Sequence, residues 1–329
     1  IFSFRRGETV YSLNLIPFGG FVKIYGEEAP KESPNSDPTG QRQEDKRSFA
    51  NKPLHIRASI LIAGVLFNLL LVWPILTAGY LIGAPVSVEN NDISGGNLSN
   101  KGVMIIQVQE NTPAESAGLK TGDYILSLSN NNKTLEISDL KSVQDFIAKN
   151  AGNEIKIDYL RGGKGFSAKA TPLINPEAGK GNLGIAMDYV ATLKLPFYRA
   201  VWEGLKTSLS LIGAVFNAFV NFFAEIFMKK GALTQIAGPV GIARIVSNAS
   251  QSGFIFILQL IALLSVNLAL INIFPFPALD GGRLLFLGIE FFKGKPISQK
   301  TSTIANNIGF TILIFLMLLI TYRDILRLF

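Results

Sequence analysis

Asp280 is the residue in this sequence whose type and surroundings point most clearly to chemistry. It lies in the segment NIFPFPALDGG at 272–282, between the apolar run 254–274 and a second apolar stretch at 284–292. A charged Asp at the centre of a membrane helix costs roughly 2.5–3.5 kcal/mol on insertion scales, so it persists where a partner, commonly a cation or a metal, stabilises it. The plainer interpretation is an acidic residue near the membrane surface whose side chain reaches water.

The residues around Asp280 predict an irregular backbone at membrane depth. Pro275 and Pro277 end the preceding helix and leave backbone groups unpaired, which is tolerated at this depth only inside a protein-lined cavity. Gly281 and Gly282 allow a following helix to approach closely. Together these features predict a buried, charged site between helices.

The composition narrows the kind of site this can be. The 329 residues include no cysteine, so disulfides and thiolate metal sites are excluded. The one histidine, His55, follows a basic loop and is predicted to be a surface residue, so a zinc site that needs two histidines cannot be built from these residues alone. The net charge is +7, but no basic cluster is interleaved with aromatic residues, so we expect no nucleic-acid partner.

Long apolar runs indicate a membrane protein with several spans. The run 58–83 contains no charged residue and, like 254–274, is long enough for a span, which requires about 20 apolar residues. The stretch 254–292 is predicted to be a transmembrane helix with a broken LDGG motif, and 304–322 is predicted to be the last span. The basic residues that precede the first span mark the cytoplasmic side, which places the region after that span outside.

The segment 198–230 leaves two alternatives open. Residues 208–228 are apolar enough to span, yet Asn217, Asn221 and Glu225 lie on nearly one helical stripe. That stripe predicts an interfacial amphipathic helix, the alternative being a span with a polar inner face. The interfacial helix is favoured because it leaves the basic residues that follow the LDGG motif on the cytoplasmic side.

Two further parts of the chain are predicted to contain β-structure. Residues 1–57 are predicted to form a cytoplasmic-side β-hairpin, with strand-like runs on both sides of a turn at 17–20, and a polar loop. Residues 101–175 have the composition of a small soluble α+β domain. Its predicted elements are a helix at 138–149 and strands at 103–108, 124–128, 155–160 and 166–170.

Five motifs, in one order along the chain, resemble the site-2 proteases, the intramembrane zinc metalloproteases that include the bacterial regulator-of-sigma-E protease. They are GETVYSLNLIPFGGFVKIYGE at 7–27, SFANKPLHIRASILIAGVLFN at 48–68, TPAESAGLKTGDYILSLSN at 112–130, AGPVGIARI at 237–245 and SVNLALINIFPFPALDGGRLLF at 265–286. The first resembles the family's membrane-associated β-hairpin, the second the start of its second transmembrane helix, and the third its extracytoplasmic PDZ domain. The pattern N-x-x-P-x-P-x-L-D-G-G resembles the family's third-ligand motif, and the resemblance covers nearly the whole chain.

The resemblance implies roles for residues of the LDGG region. Asp280 would be the third Zn2+ ligand of the site. Asn272, Pro275 and Pro277 would line the substrate path, where unpaired backbone would bind an unwound substrate as an added strand.

The resemblance also implies two further substrate surfaces. The hairpin turn at Gly19 and Gly20 would offer a second edge to the substrate. The PDZ domain would bind a peptide by strand addition beside the strand 103–108. The residues of this groove would be Val103, Ile105, Ile106 and Val108.

One feature of the family pattern is missing. Family members bind zinc through the two histidines of an H-E-x-x-H helix whose Glu is the general base, and that sequence does not occur here. Because the chain begins in mid-pattern at Ile1 without an initiator Met, we expect a fragment whose remaining ligands lie upstream and which is inactive alone.

The expected fold is an α-helical polytopic membrane protein with an inserted α+β PDZ domain and a membrane-associated β-hairpin. The expected function is zinc-dependent proteolysis of single-span membrane proteins, such as anti-sigma factors or remnant signal peptides, in the bacterial inner membrane. Expected partners are these substrates, peptide segments at the extracytoplasmic PDZ domain, and the lipid bilayer. The alternatives are a non-catalytic membrane scaffold with a PDZ module, against which the intact LDGG argues, and a transporter, against which the lack of a visible internal repeat argues.

Overall fold

The structure is a computed structural model that divides into two compact units, residues 1–60 and residues 61–329. Each unit is described by itself. The described residues are 2–7, 9–13, 25–26, 48–88, 97–109, 111–130, 133–137, 139–174, 181–228, 238–295 and 297–326.

A short antiparallel hairpin is the β-structure described in the first unit. Strands β1 (Phe2–Arg6) and β2 (Thr9–Leu13) pair from Phe2 opposite Leu13 to Arg6 opposite Thr9, and the chain turns at Gly7, whose φ is +64°. The sequence predicted instead that the run containing β2 pairs across a turn at 17–20. That turn, with Gly19 and Gly20, lies outside the described residues, and the described partner of β2 is the strand before it.

Helix α1 (Leu54–Ile82) begins in the first unit and continues into the second. The described part of the second unit also contains six further helices of ten or more residues and one short helix. In chain order the helices are α2 (Pro113–Ser116), α3 (Leu140–Lys149), α4 (Phe197–Met228), α5 (Pro239–Ser252), α6 (Phe254–Ile273), α7 (Asp280–Lys293) and α8 (Gln299–Leu326).

Four helices of the described chain are long and apolar enough to cross a membrane. These are Leu54–Ile82, Phe197–Glu225, Phe254–Ile273 and Lys300–Leu326. These four helices are identified by length and composition alone. Whether the segment 198–230, predicted to be interfacial, enters the membrane therefore has to be judged from its contacts.

An α+β domain separates α1 from α4 along the chain. Its larger sheet has the strand order β3-β11-β4-β5-β7-β8, with β6 paired to β5. All neighbouring strands in this sheet are antiparallel. The strands are β3 (Ala84–Ser87), β4 (Asn97–Val108), β5 (Tyr124–Asn130), β6 (Lys133–Glu136), β7 (Ile155–Arg161), β8 (Lys164–Ala170) and β11 (Ile185–Lys194), with a separate pair β9 (Leu173–Ile174) and β10 (Gly181–Asn182).

The sheet is wider than the predicted domain range of 101–175. Strand β11 lies between β3 and β4, so segments before and after that range pair with one another. The sequence analysis missed β3 because it is four residues long, and β11 because IAMDYVATLK alternates only weakly. Pairing between strands about 100 residues apart leaves no local signal.

A buried ion pair lies at one edge of the domain core. The Arg161 guanidinium donates from Nε and Nη2 to the two carboxylate oxygens of Asp123, at 2.6 Å each, and the Asp123 side chain is fully buried. The backbone N–H of Lys120 donates to the same carboxylate at 2.8 Å, and Arg161 also donates to the carbonyl of Gly118. The Asp123 charge is therefore fully compensated inside the domain.

Helices α1, α4 and α6 contact one another at two successive levels, and α4 contacts the residue that follows α6 at a third. Next to the domain, Tyr80 and Ala84 pack with Ala200 of α4 and Ile255 of α6. In the middle, the buried residues are Val72, Ala262 and Val266, and Leu211, Ile212 and Val215 of α4 pack against them. At the far level, Phe223 of α4 stacks on Phe274, with ring centroids 4.9 Å apart.

These levels fix the direction of α4. Its residues advance from the domain level to the far level in the same order as those of α6, and opposite to those of α1. Helix α4 therefore runs alongside α6 for most of its length, about 30 Å at 1.5 Å per residue.

Helix α5 connects the domain to the end of α8. At its C-terminal end the hydroxyl of Ser252 donates to the carbonyl of Thr121 at 2.7 Å, and Lys120 donates to Gln251 at 2.7 Å. At its N-terminal end the N–H of Gly241 donates to the buried carboxylate of Asp324 at 2.9 Å. A cavity of about 560 Å³ lies between α5 and the domain.

Candidate metal and substrate site

The segment between α6 and α7 is a compact reversal of the chain. Helix α6 ends at Ile273 and α7 begins at Asp280, with extended backbone at both Phe274 and Leu279. Pro275 and Pro277 lie between them, and neither has an N–H that could continue α6. We call the residues 274–279 the break.

The break satisfies most of its own backbone donors. The N–H of Phe274 donates to Ile271, that of Phe276 to Phe274, and that of Leu279 to Phe276, at 3.1, 2.7 and 3.1 Å. The sequence predicts that the prolines leave backbone groups unpaired for an added substrate strand, and these three N–H groups are not among them. The chain turns tightly enough to pair them locally, so a substrate strand would find mainly carbonyl oxygens here.

Gly281 and Gly282 allow the first turn of α7 to lie against the break, as predicted. A Cβ on Gly281 would lie 2.2 Å from the carbonyl oxygens of Ile273 and Phe274, and one on Gly282 would lie 2.2 Å from that of Phe276. These distances are shorter than any non-bonded contact of a Cβ atom. Any larger residue would therefore displace the backbone that leads into Asp280.

Helix α8 holds the break from one side. Ala278 has the left-handed φ of +78°, a conformation that costs a non-glycine residue about 1–2 kcal/mol. Its N–H donates to the side-chain oxygen of Asn306 at 3.2 Å. One helical turn further on, the buried Gly309 brings the backbone of α8 so close that a Cβ would lie 2.3 Å from the carbonyl oxygen of Pro277.

Helix α4 contacts the break from another direction. The ring of Phe274 stacks on Phe223, and its centroid is 6.4 Å from that of Phe219 in an edge-to-face arrangement. Sequence reasoning missed these two residues because phenylalanines on an apolar helix are typical of lipid-facing positions. Only the contact distinguishes them from the other aromatic residues of α4.

Asp280 is half-buried at the first position of α7, where the helix dipole favours a negative side chain. Within the described part of the chain, its carboxylate accepts no hydrogen bond and forms no ion pair. A half-buried carboxylate of this kind is suited to a cation, since its charge is otherwise uncompensated.

The rest of a metal site is not found among the described residues. No three His, Cys, Asp or Glu side chains there lie together as a ligand group. His55 is exposed in the first turn of α1, as expected of a surface residue. The donor set fits zinc in type, because a carboxylate oxygen is a regular zinc ligand, but these residues supply one ligand of the set.

The other predicted residues of this region lie in the break or just before it. Asn272 lies partly buried in the last turn of α6, Pro275 is exposed, and Pro277 is partly buried under Gly309. The structure therefore places Asn272, Pro275 and Pro277 within eight positions of Asp280 on one reversal of the chain.

The structure occupies most of the strand edges beside the predicted peptide groove at 103–108. Val103 and Ile105 are fully buried in the domain core. Strand β11 pairs along the whole of this segment, and β5 with the turn before it covers the other edge as far as Ile105. Ile106 faces outward, and Val108 lines the cavity beside α5. At 103–105, where both edges are occupied, the strand cannot accept another strand.

One strand away, an edge has no described strand against it. Strand β3 covers β11 only at 190–193, so no described strand lies against the outer edge of 185–188. This part of β11 is close to α3, and Ile185 and Met187 pack partly buried against the same core as Val143 and Phe146 of α3. A strand edge beside an amphipathic helix is a suitable groove for an extended peptide.

Comparison with known proteins gives a match to a family model and to curated proteases over the whole chain. A model of peptidase family M50 matches residues 1–316. The zinc metalloprotease RasP of Shouchella clausii is 30% identical, over 100% of this chain and 90% of that protein. The regulator of sigma-W protease RasP of Bacillus subtilis is 29% identical, over 100% of this chain and 89% of that protein.

Solved structures similar to part of the chain are PDZ domains. That of the SdrC-like protein of Listeria monocytogenes is 24% identical and covers 28% of this chain and 92% of its own, with a TM-score of 0.23. That of the SdrC-like protein of Listeria innocua is 26% identical and covers 26% and 92%, with a TM-score of 0.23.

Proposed function

The chain belongs to peptidase family M50, the site-2 proteases and their zinc metalloprotease relatives, and on that premise we propose that Asp280 is the third protein ligand of an intramembrane zinc site. The observation that carries this proposal is the carboxylate of Asp280, half-buried at the start of α7 and without a partner among the described residues. The break positions it through backbone contacts and leaves both of its oxygens available.

Asp280 would hold the metal together with two histidines, which these 329 residues do not contain in the required number. Bound zinc supplies a water of lowered pKa, about 7, as the nucleophile for peptide hydrolysis. The residues of this chain would fix the carboxylate, line the approach with Asn272 and Pro275, and exclude lipid and bulk water through the packing of α4 and α8 on the break.

The substrates we propose are single-span membrane proteins. A peptide bond inside a helix is shielded from attack, so the substrate helix has to unwind beside the break before cleavage. The name of the Bacillus subtilis relative refers to regulation of a sigma factor, which makes an anti-sigma factor a reasonable substrate class here; remnant signal peptides are a second.

The α+β domain would act as a PDZ domain that binds peptide segments. Its groove would be the outer edge of 185–188 and the facing side of α3, in place of the occupied edge beside 103–108. A main-chain ladder on β11 would provide affinity, and the partly buried Ile185 and Met187 would limit which side chains fit.

We also propose a topology for α4 that differs from both alternatives. Its contacts along α6 favour a helix that enters the membrane over one that lies on the surface. Yet Ser252, the last residue of α5, is hydrogen-bonded to the domain, and Ile255 at the start of α6 lies at the domain level. Along the chain, α4 therefore leaves the domain side of the membrane, and the start of α6 lies on that side again. The segment from α4 to α6 makes no net crossing of the membrane.

This topology keeps the predicted orientation. Helix α6 then runs from the domain side inward, and Arg283, Lys293 and Lys300 fall on the cytoplasmic side of a bacterial inner membrane, with the domain extracytoplasmic. The exposed aromatic residues Phe197 and Trp202 at the start of α4 would lie among the lipid headgroups on the domain side.

The experiment that tests the ligand assignment is Asp280→Ala in a protein that carries both the H-E-x-x-H sequence and these residues. We expect loss of bound zinc and of substrate cleavage, by a factor of about a thousand or more, with unchanged membrane insertion. Zinc content by mass spectrometry and cleavage of a single-span reporter measure both. Asp145→Ala, which changes an exposed acidic residue of α3, is the matched control, and cleavage by Asp280→Ala at the control's rate would refute the assignment.

Residues 1–329 by themselves are predicted to be inactive. They contain one histidine, so the zinc ligand set cannot be completed from within them. Purified protein of this sequence should show neither stoichiometric zinc nor zinc-dependent proteolysis. Proteolysis that a chelator stops and zinc restores would contradict this prediction.

A further inference from the structure

Asn306 and Gly309 form a small contact surface on α8 that faces the break. They are three positions apart and therefore lie on one face of the helix. Asn306 accepts the N–H of Ala278 at 3.2 Å, and the buried Gly309 meets the backbone of Pro277. The neighbouring Asn307 is exposed on another face of α8.

The contact is made to backbone atoms that lead directly to Asp280. Ala278 is two residues before Asp280 and has the left-handed φ of +78°, which alanine rarely adopts without external support. No described residue other than Asn306 accepts its N–H, and an N–H at this depth needs an acceptor. One side chain of α8 thus satisfies the donor that the strained residue presents.

From these contacts we infer that Asn306 is a positioning residue for the metal ligand: it holds Ala278 in its left-handed conformation and thereby orients the carboxylate of Asp280. This inference rests on the proposed role of Asp280. It adds a residue 26 positions further along the chain, on a different helix, to the machinery that sets the metal geometry.

A plainer role for Asn306 would be to join α8 to the helices around it. The two roles predict different responses to a change at Ala278. If Asn306 supports the left-handed conformation, glycine at 278 makes that support unnecessary, because glycine adopts this φ at no steric cost. If Asn306 only joins helices, glycine at 278 does not restore the activity or the zinc retention that Asn306→Ala loses.

The test compares Asn306→Ala, Ala278→Gly and the double variant in the zinc-loaded protease that carries the H-E-x-x-H sequence. We expect Asn306→Ala to lower kcat about tenfold with little change in KM, and to speed the release of zinc to a chelator by a similar factor. The double variant should recover most of both losses. Asn307→Ala is the matched control and should behave as the parent protein.

Three results would overturn the inference. The first is Asn306→Ala that matches Asn307→Ala in both zinc release and kcat. The second is a loss in Asn306→Ala that glycine at 278 does not recover. The third is a loss of folded protein in detergent, followed by thermal unfolding, that accounts for the lost activity in full.

The ligand assignment fails separately from this inference. If Asp280→Ala retains zinc and activity, the proposed function itself is wrong, whatever Asn306 does. If Asp280→Ala abolishes both while Asn306→Ala matches its control, the site stands and only the positioning role of Asn306 is refuted.

Discussion

Asp123 and Asp280 are two acidic residues withdrawn from bulk water, and the structure treats them in opposite ways. Asp123, in the α+β domain, is fully buried and receives two hydrogen bonds from Arg161 and one from the backbone of Lys120. Asp280, in the helical region, is half-buried and has no described partner. A compensated charge holds a fold together, while an uncompensated one is available for chemistry.

The two regions also support their acids differently. The domain holds Asp123 by hydrogen bonds to both of the Asp123 carboxylate oxygens, which are therefore not available to another ligand. The helical region holds Asp280 through the backbone on either side of it: glycines 281 and 282, the Asn306 contact and the Phe274 ring. Support through the backbone leaves the carboxylate oxygens without a partner among the described residues, which is what a metal ligand requires.

Removing the compensated acid should have the largest effect on folding. Asp123→Ala leaves the Arg161 guanidinium buried without its partner, and such a loss costs about 3–5 kcal/mol. Hydrogen exchange of the β5 and β7 amides, measured by mass spectrometry, should speed up by a factor of a hundred or more, on the order of that free energy.

A double replacement sharpens this prediction. Asp123→Leu with Arg161→Met removes both charges and should protect β5 and β7 better than Asp123→Ala alone. Equal exchange in Asp123→Ala and the parent protein would show that the ion pair contributes nothing, and the contrast with Asp280 would fail.

Displacing the backbone beside the uncompensated acid should reduce activity more than stability. Gly282→Ala places a methyl group 2.2 Å from the carbonyl oxygen of Phe276, so the backbone into Asp280 has to move. A ligand misplaced by about 1 Å loses about a hundredfold in rate.

Gly288→Ala is the matched control on the same helix, since a Cβ there meets nothing within 4 Å. Reporter cleavage and zinc content should fall in Gly282→Ala and stay unchanged in Gly288→Ala. Parent-like cleavage by both variants would mean that the close approach at Gly282 does not position the ligand.

The aromatic contact from α4 should have the smallest effect. Phe223→Ala removes the stacked ring on Phe274, and an aromatic pair contributes about 0.5–1.5 kcal/mol beyond its buried area, equivalent to a few-fold to tenfold in rate. Phe216→Ala removes an exposed ring of the same helix and serves as control. Identical cleavage rates for the two variants would show that α4 does not hold the break.

Several features of the candidate site follow from sequence because their causes are local. Two prolines end α6, two glycines permit close approach, and an acidic residue in an apolar run signals a need for a partner. The apolar helices follow in the same way, since their length and lack of charge are written in consecutive residues. The strands β4, β5, β7 and β8 lie where short alternating runs predicted them.

The largest difference between the predictions and the structure concerns contacts between distant residues. Val103 and Ile105 were predicted to line a groove because their strand was recognised, but its neighbours were not. Strand β11, which occupies that edge, comes some 80 residues later in the chain, and no described strand lies against its own outer edge at 185–188.

The sequence by itself determined that this is a membrane protein of the site-2 protease family and made Asp280 its one candidate ligand, because apolar length, helix breakers and an ordered set of motifs are properties of consecutive residues. Only the tertiary structure decided what surrounds that residue. The Asn306 contact, the Phe223 stack and the path of α4 along α6 each join residues more than 25 positions apart. Such contacts arise from packing, and packing is a property of the folded chain as a whole.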